Sequence, residues 1–132
     1  MKTILVDAVY CFVVELESGN FLIFEEMREM LDSFPNRKIL LTGADDEQFK
    51  GFGLDQMPYE VFTLKHHPEK TDPEYYRTML AYFNLRPEDA VYFEHSPEAV
   101  TSAASIGIVS YHYDQAQKDL RALKEFLASS LG

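Results

Sequence analysis

Residues 2–12 read KTILVDAVYCF. Ile4-Leu5-Val6 is a short apolar run with β-branched side chains, and it ends on a carboxylate, Asp7. A run of that length and composition predicts a strand buried on both faces. In an open parallel sheet, ligands bind in the crevice outside the carboxyl ends of the strands. Asp7 therefore stands at the lip of such a crevice, either as a working acid or as a strand-end cap. The remainder of the chain distinguishes the two.

Outward from that stretch, strand and helix signals alternate, which predicts an α/β fold with a mainly parallel sheet. Val9 to Leu16 is read as a small hairpin or flap before a turn at Glu17-Ser18-Gly19-Asn20. Phe24, Met27, Leu31 and Phe34 recur at helical spacing, and Pro35 stops that helix. Lys38-Ile39-Leu40-Leu41 is a second buried strand ending at Thr42-Gly43. A short acidic helix, Asp45 to Lys50, is broken by Gly51-Phe52-Gly53, and a third strand spans Tyr59 to Leu64. After the polar loop Lys65 to Lys70, Asp72-Pro73-Glu74 opens a helix with an N-cap, a proline at the first helical position and an acid in the first turn. Ala90 to Phe93 is a fourth strand with Glu94-His95 at its lip. Ser96-Pro97-Glu98 opens the next helix, Gly107 closes it, and Ile108 to Tyr111 is a fifth strand, with Tyr111-His112-Tyr113 at the crevice edge. Asp114 and Gln117 are read as the capping box of a last helix that buries Leu120, Leu123 and Leu127.

The chain has 132 residues and 46% hydrophobic composition, enough for one domain with one sizeable core. A formal net charge of −10 repels phosphate backbones, so no nucleic-acid partner is expected, and an anionic substrate needs a local cation. One cysteine, Cys11, excludes an internal disulfide and fits a reducing compartment. Asp7 and Glu15 interrupt the N-terminal apolar run, so neither a signal peptide nor a membrane span is expected, and the protein is placed in the cytoplasm. His66-His67 is read as an exposed loop pair, because no third ligand has zinc-site spacing.

Four lip positions then carry chemistry: Asp7, Thr42, Lys70 and Glu94-His95. Acid, hydroxyl, lysine and acid in that order resemble the haloacid dehalogenase-like (HAD) superfamily. The segment Lys70-Thr71-Asp72-Pro73-Glu74-Tyr75-Tyr76 is similar to that family's Lys-Pro-Asp-Pro-Glu-x-Phe, and Pro87 to Val100, PEDAVYFEHSPEAV, to its strand-and-helix segment PEE-x-VYVGDSPND-V. The resemblance covers nearly the whole chain. It implies a Rossmann-like three-layer α/β/α sandwich, with a five-stranded parallel sheet and the first strand central. It also implies roles. Asp7 would be the nucleophile that forms an aspartyl-phosphate. Thr42, with Gly43, would contact the phosphoryl oxygens. Lys70 would neutralise transition-state charge. Asp7, the Val9 carbonyl, Glu94 and His95 would hold Mg²⁺, with Mn²⁺ or Zn²⁺ possible because imidazole suits them better.

The sequence departs from the family pattern at the first and fourth motifs. Where the family's phosphatases read Asp-x-Asp-Gly-Thr, this chain reads Asp7-Ala8-Val9-Tyr10-Cys11. Val9 replaces the acid that protonates the leaving group, a loss typically worth on the order of 10²–10⁴ in rate. Tyr10 replaces a loop glycine, and Cys11 aligns with a structural threonine. His95 and Ala99 stand where metal-binding acids are expected. The stretches on either side of Thr42 are too short for a cap domain, so residues 1–132 are expected to be one capless domain. Two functions follow as expectations. One is an Asp-nucleophile phosphohydrolase with an incomplete catalytic set, acting on a phosphorylated small molecule or phosphoprotein. The other is a non-catalytic binding or regulatory module, a pseudophosphatase. A capless crevice also suggests a homo-oligomer.

Overall fold

The computed structural model describes all 132 residues. A five-stranded parallel sheet is made of β1 (Thr3–Asp7), β4 (Lys38–Thr42), β5 (Glu60–Thr63), β6 (Ala90–Glu94) and β7 (Val109–His112), in the order β5-β4-β1-β6-β7. The apolar run in β1 is buried at all five positions because β4 and β6 flank it and helices cover both faces. Its side chains alternate between two cores, as the pleat requires. Ile4 and Val6 join Met27, Leu31, Leu123 and Leu127, from α1 (Glu25–Asp32) and α5 (Leu120–Leu131). Leu5 joins Tyr75, Tyr76, Met79 and Ala103, from α3 (Pro73–Phe83) and α4 (Pro97–Ser105). This is the expected three-layer α/β/α arrangement with the first strand central. No helix is long and apolar enough to cross a membrane.

Two local expectations are corrected. The flap hairpin does not precede the turn at residues 17–20 but straddles it: β2 (Val13–Glu15) pairs antiparallel with β3 (Phe21–Ile23). Gly19 at φ 87° supplies the left-handed residue that closes the turn. The last helix is capped by Asp119, whose carboxylate accepts the Ala122 N–H, and not by Asp114. The Asp114 carboxylate instead accepts the Ala116 and Gln117 N–H groups at 2.9 and 3.2 Å, a local turn that competes with helix at this residue type. The remaining helix, α2 (Asp46–Gly51), is opened by a complete capping box between Asp45 and Gln48.

Candidate functional site

The carboxyl ends of β1, β4 and β6 face one pocket of about 280 Å³. Each candidate residue arrives there for a local reason. Asp7, Thr42 and Glu94 are the last residues of their strands. Lys70 belongs to the loop after β5 and lies just before α3, whose start is fixed by the Asp72 cap and Pro73. The Tyr75 hydroxyl then donates to the Thr42 carbonyl at 2.7 Å and ties that helix start to the end of β4. His95 lies between Glu94 and the Ser96 cap of α4. Asp7, Val9, Thr42, Gly43, Lys70, Glu94 and His95, the positions to which the family resemblance gave roles, all line this pocket.

At its centre is a buried four-charge cluster. Lys70 Nζ lies 2.7 Å from Asp7 Oδ1 and 2.7 Å from Glu94 Oε1, and donates to the Leu41 carbonyl at 3.3 Å. Its three N–H groups are thereby all engaged. Asp7 Oδ2 accepts from the Cys11 thiol at 3.3 Å and the His95 backbone N–H at 3.2 Å, and it contacts His95 Nδ1. Glu94 Oε2 accepts the Ser96 N–H at 3.1 Å and lies 3.1 Å from His95 Nδ1, while Glu94 Oε1 accepts from the Tyr92 hydroxyl. Thr42 Oγ1 accepts the Ala44 N–H at 3.2 Å, which leaves its own proton free to donate.

The electrostatics follow from those contacts. Burial and the Glu94 charge push the Asp7 carboxyl up, against Lys70 and His95. Burial alone would raise Glu94 too, but the Lys70 charge overcomes it and holds Glu94 below the ordinary carboxylate value. Burial opposes the Lys70 charge, yet the two acids hold the ammonium well above its usual range. Hydrogen bonds to Asp7 and Glu94 raise His95 to about 10, so the imidazole is a cation at neutral pH. Burial and the Asp7 charge push the Cys11 thiol up, so it serves as a protonated donor and not as a nucleophile.

Two residues that the sequence reading gave no role in the site, His66 and Tyr10, complete the walls. His66 is not an idle loop residue: it lines the pocket, with Nε2 2.5 Å from Gln48 Oε1 and Nδ1 2.7 Å from Glu69 Oε1. Lys65 and His66 both have positive φ, 52° and 67°, which turns the chain sharply at this point. Tyr10, in the glycine position, keeps a glycine-like backbone at φ 78°, a strain of about 1–3 kcal/mol for such a residue. The sequence marks Tyr10 by the glycine it replaces, whereas nothing in the sequence marks the positive φ of Lys65 and His66. Tyr111-His112-Tyr113, expected at the crevice edge, does not line the pocket. His112 Nε2 instead lies 3.0 Å from the His95 carbonyl, and Tyr113 is buried behind it.

Solved structures share this arrangement of strands and helices. A HAD family enzyme from Bacteroides thetaiotaomicron, an aspartate-to-alanine mutant in complex with magnesium and inorganic phosphate, superposes with a TM-score of 0.73 at 11% identity, over 92% of this chain and 98% of its own. An uncharacterized protein from Listeria monocytogenes serotype 4b gives 0.70 at 13% identity, over 98% of each chain. A HAD-superfamily hydrolase from Geobacter sulfurreducens gives 0.54 at 24% identity, over 70% of this chain and 47% of its own. No protein-family model matches, and no curated protein matches. At these identities the likeness establishes the fold, which is haloacid dehalogenase-like.

Proposed function

We propose that this protein is a phosphohydrolase of the Asp-nucleophile class. The observation that carries the reading is the 2.7 Å contact between Asp7 Oδ1 and Lys70 Nζ, groups 63 residues apart in sequence, in a pocket shared with the Thr42 hydroxyl. In the first step an Asp7 oxygen attacks phosphorus. The bond from phosphorus to the leaving oxygen breaks, its electron pair goes to that oxygen, and the oxygen takes a proton. In the second step water attacks phosphorus, gives up a proton, and the electron pair returns to the carboxylate as phosphate leaves. Lys70 and Thr42 face the oxygens on which charge builds. Val9 has no proton to give, so His66 in the same pocket is assigned the proton transfers, for which its Nε2 contact with Gln48 has to open as substrate binds. An open crevice without a cap domain also goes with a homo-oligomer, a neighbour serving as lid.

The magnesium bound by the Bacteroides structure does not carry over. Mg²⁺ requires near-octahedral oxygen ligands. Here the oxygens of Asp7 and Glu94 already receive Lys70, His95, Cys11, Tyr92 and Ser96, and the position of a further acid is Ala99. Asp7, Cys11 and His95 do present ligand atoms within 4.8 Å of one another, a set that suits Zn²⁺ better. Without a metal, Lys70 and His95 are the positive charges beside Asp7 in the proposed reaction.

One observation favours the non-catalytic reading: every Lys70 N–H and every oxygen of its two acids is already satisfied, as in a structural ion cluster. Release of phosphate from aryl and acyl phosphates decides between them, measured with chelator and with Mg²⁺, Mn²⁺ or Zn²⁺, beside Asp7→Asn. Turnover abolished by the substitution supports the hydrolase. No turnover under any condition transfers the protein to the binding-module class.

A further inference from the structure

Tyr10 holds a backbone conformation that glycine adopts freely and a bulky residue rarely does, φ 78°. The flap does not need a side chain there. Its backbone hydrogen bonds, Tyr10 N–H to Val13 O at 2.8 Å and Phe12 N–H to Ala8 O at 3.0 Å, form equally well with glycine. What the strain secures is the position of the ring. The Tyr10 centroid is 5.3 Å from the His95 ring, edge-on, and 6.1 Å from Phe21. Phe21 packs at 4.7 Å on Phe52. Tyr10 and Phe52 line the same pocket as Asp7 and Lys70. Phe52 also borders a second cavity of about 160 Å³ with Val13, Leu22, Ile23 and Met57, so apolar surface continues away from the acids.

The polar wall offers less to a ligand. His66 is bonded at both nitrogens, to Gln48 and to Glu69, and Gln48 Oε1 also accepts the Asp45 N–H at 3.1 Å. A sugar-like group would have to break those pairs. We infer that the pocket selects an aryl phosphomonoester, its ring laid against Tyr10 and Phe52 while its phosphoryl group meets Asp7 and Lys70. This substrate class rests on the phosphohydrolase reading and deepens it. A pocket of about 280 Å³ is at the lower end for small-molecule sites and suits a phosphate with a single ring.

The test is calorimetric, with phenylphosphonate and methylphosphonate, non-hydrolysable probes with the same dianionic head. The wild-type protein is expected to prefer phenylphosphonate by about three- to tenfold, the size of an aromatic contact. Tyr10→Gly and Tyr10→Asn, both at ease at positive φ, are expected to bring that ratio close to one, with thermal midpoints no lower than wild type. A wild-type ratio of one, or a ratio that survives both substitutions, overturns the inference and leaves the phosphoryl site standing. Failure of both probes and of inorganic phosphate to bind removes the phosphoryl site and the inference together. A phosphotyrosyl peptide, titrated into Asp7→Asn, separates sources: binding tighter than phenylphosphonate supports an aryl phosphate borne on protein, and weaker binding supports a free small molecule.

Discussion

His95 Nδ1 lies 3.1 Å from Glu94 Oε2, its ring edge turned between that carboxylate and Asp7. An imidazolium in that gap supplies the positive charge that two buried acids require. A divalent ion would have to displace it. Titration of the wild-type protein with Mg²⁺ is therefore expected to give no heat at millimolar concentrations. His95→Asp combined with Ala99→Asp, which restores an oxygen-rich set around Asp7 and Glu94, is expected to create binding. Saturable Mg²⁺ binding by the wild type would show that the imidazole swings aside and that the cluster is a metal site after all.

Lys70 is the shared counter-ion of Asp7 and Glu94, whose side chains are 2% and 1% exposed. Removing one partner of a buried ion cluster leaves uncompensated charge, at a cost of about 3–5 kcal/mol. Lys70→Met is expected to lose that much in urea denaturation at pH 7. The deficit is expected to shrink in acid, where the stranded carboxylates take up protons. An equal deficit at both pH values would assign the loss to packing of the lysine stem and not to charge.

The alkaline limb of stability belongs to His95. Its folded value is raised to about 10 by hydrogen bonds to Asp7 and Glu94, whereas an unfolded histidine titrates near 6.5. Between those values the folded state keeps a proton that the unfolded state has released, so stability falls as pH rises. The contribution is complete below about 6.5 and gone above about 10. In acid, Glu94 is held low and Asp7 pushed up, so the two slopes oppose and that limb is a net effect. Unfolding free energies from urea denaturation between pH 6 and 10 are expected to decline in the wild type, by an amount on the order of 1–3 kcal/mol, and to stay flatter in His95→Asn. A level wild-type curve would mean a neutral imidazole.

Much of this was legible in the chain. Ile4-Leu5-Val6 followed by Asp7 fixes a central buried strand, and Asp72-Pro73 and Ser96-Pro97 fix two helix starts that bring Lys70 and His95 to the same rim, because periodicity and capping are local properties. The charge balance of the rim was not legible. That Lys70 serves both acids, and that His95 points inward, depends on side-chain directions across three strands. The misplaced cap at Asp114 has the same origin: an aspartate followed three residues later by glutamine signals a helix start or a bare turn, and packing at Leu120, Leu123 and Leu127 chose Asp119. His66 and Glu69 share one loop at i,i+3 spacing, but Gln48 reaches them from α2, and nothing in the sequence links that residue to the pair.

Tyr113 tests the account of the core behind the site. Its hydroxyl is buried without a hydrogen-bond partner, while its ring packs 6.2 Å from Phe93. An unmade hydrogen bond costs about 1–3 kcal/mol, and removing the orphan group recovers part of it. Tyr113→Phe is expected to raise the thermal midpoint, or at least leave it unchanged. A loss of more than about 1 kcal/mol in unfolding free energy would reveal a partner for the hydroxyl, an ordered water for example.

On the proposed hydrolase reading, His66 would supply the proton that Val9 cannot. If it delivers the proton to the leaving oxygen, its importance must depend on how badly that oxygen needs one. An aryl phosphate with an acidic phenol departs as the anion without help, while an alkyl phosphate does not. His66→Gln keeps a side chain able to hydrogen-bond Glu69 but cannot transfer a proton. Its kcat is expected to fall on the order of 10²-fold with an alkyl phosphate and only a few-fold with p-nitrophenyl phosphate, with KM little changed in either case. Equal losses on both substrates would mean that His66 only shapes the pocket through Gln48 and Glu69, and the proton would then have to come from water.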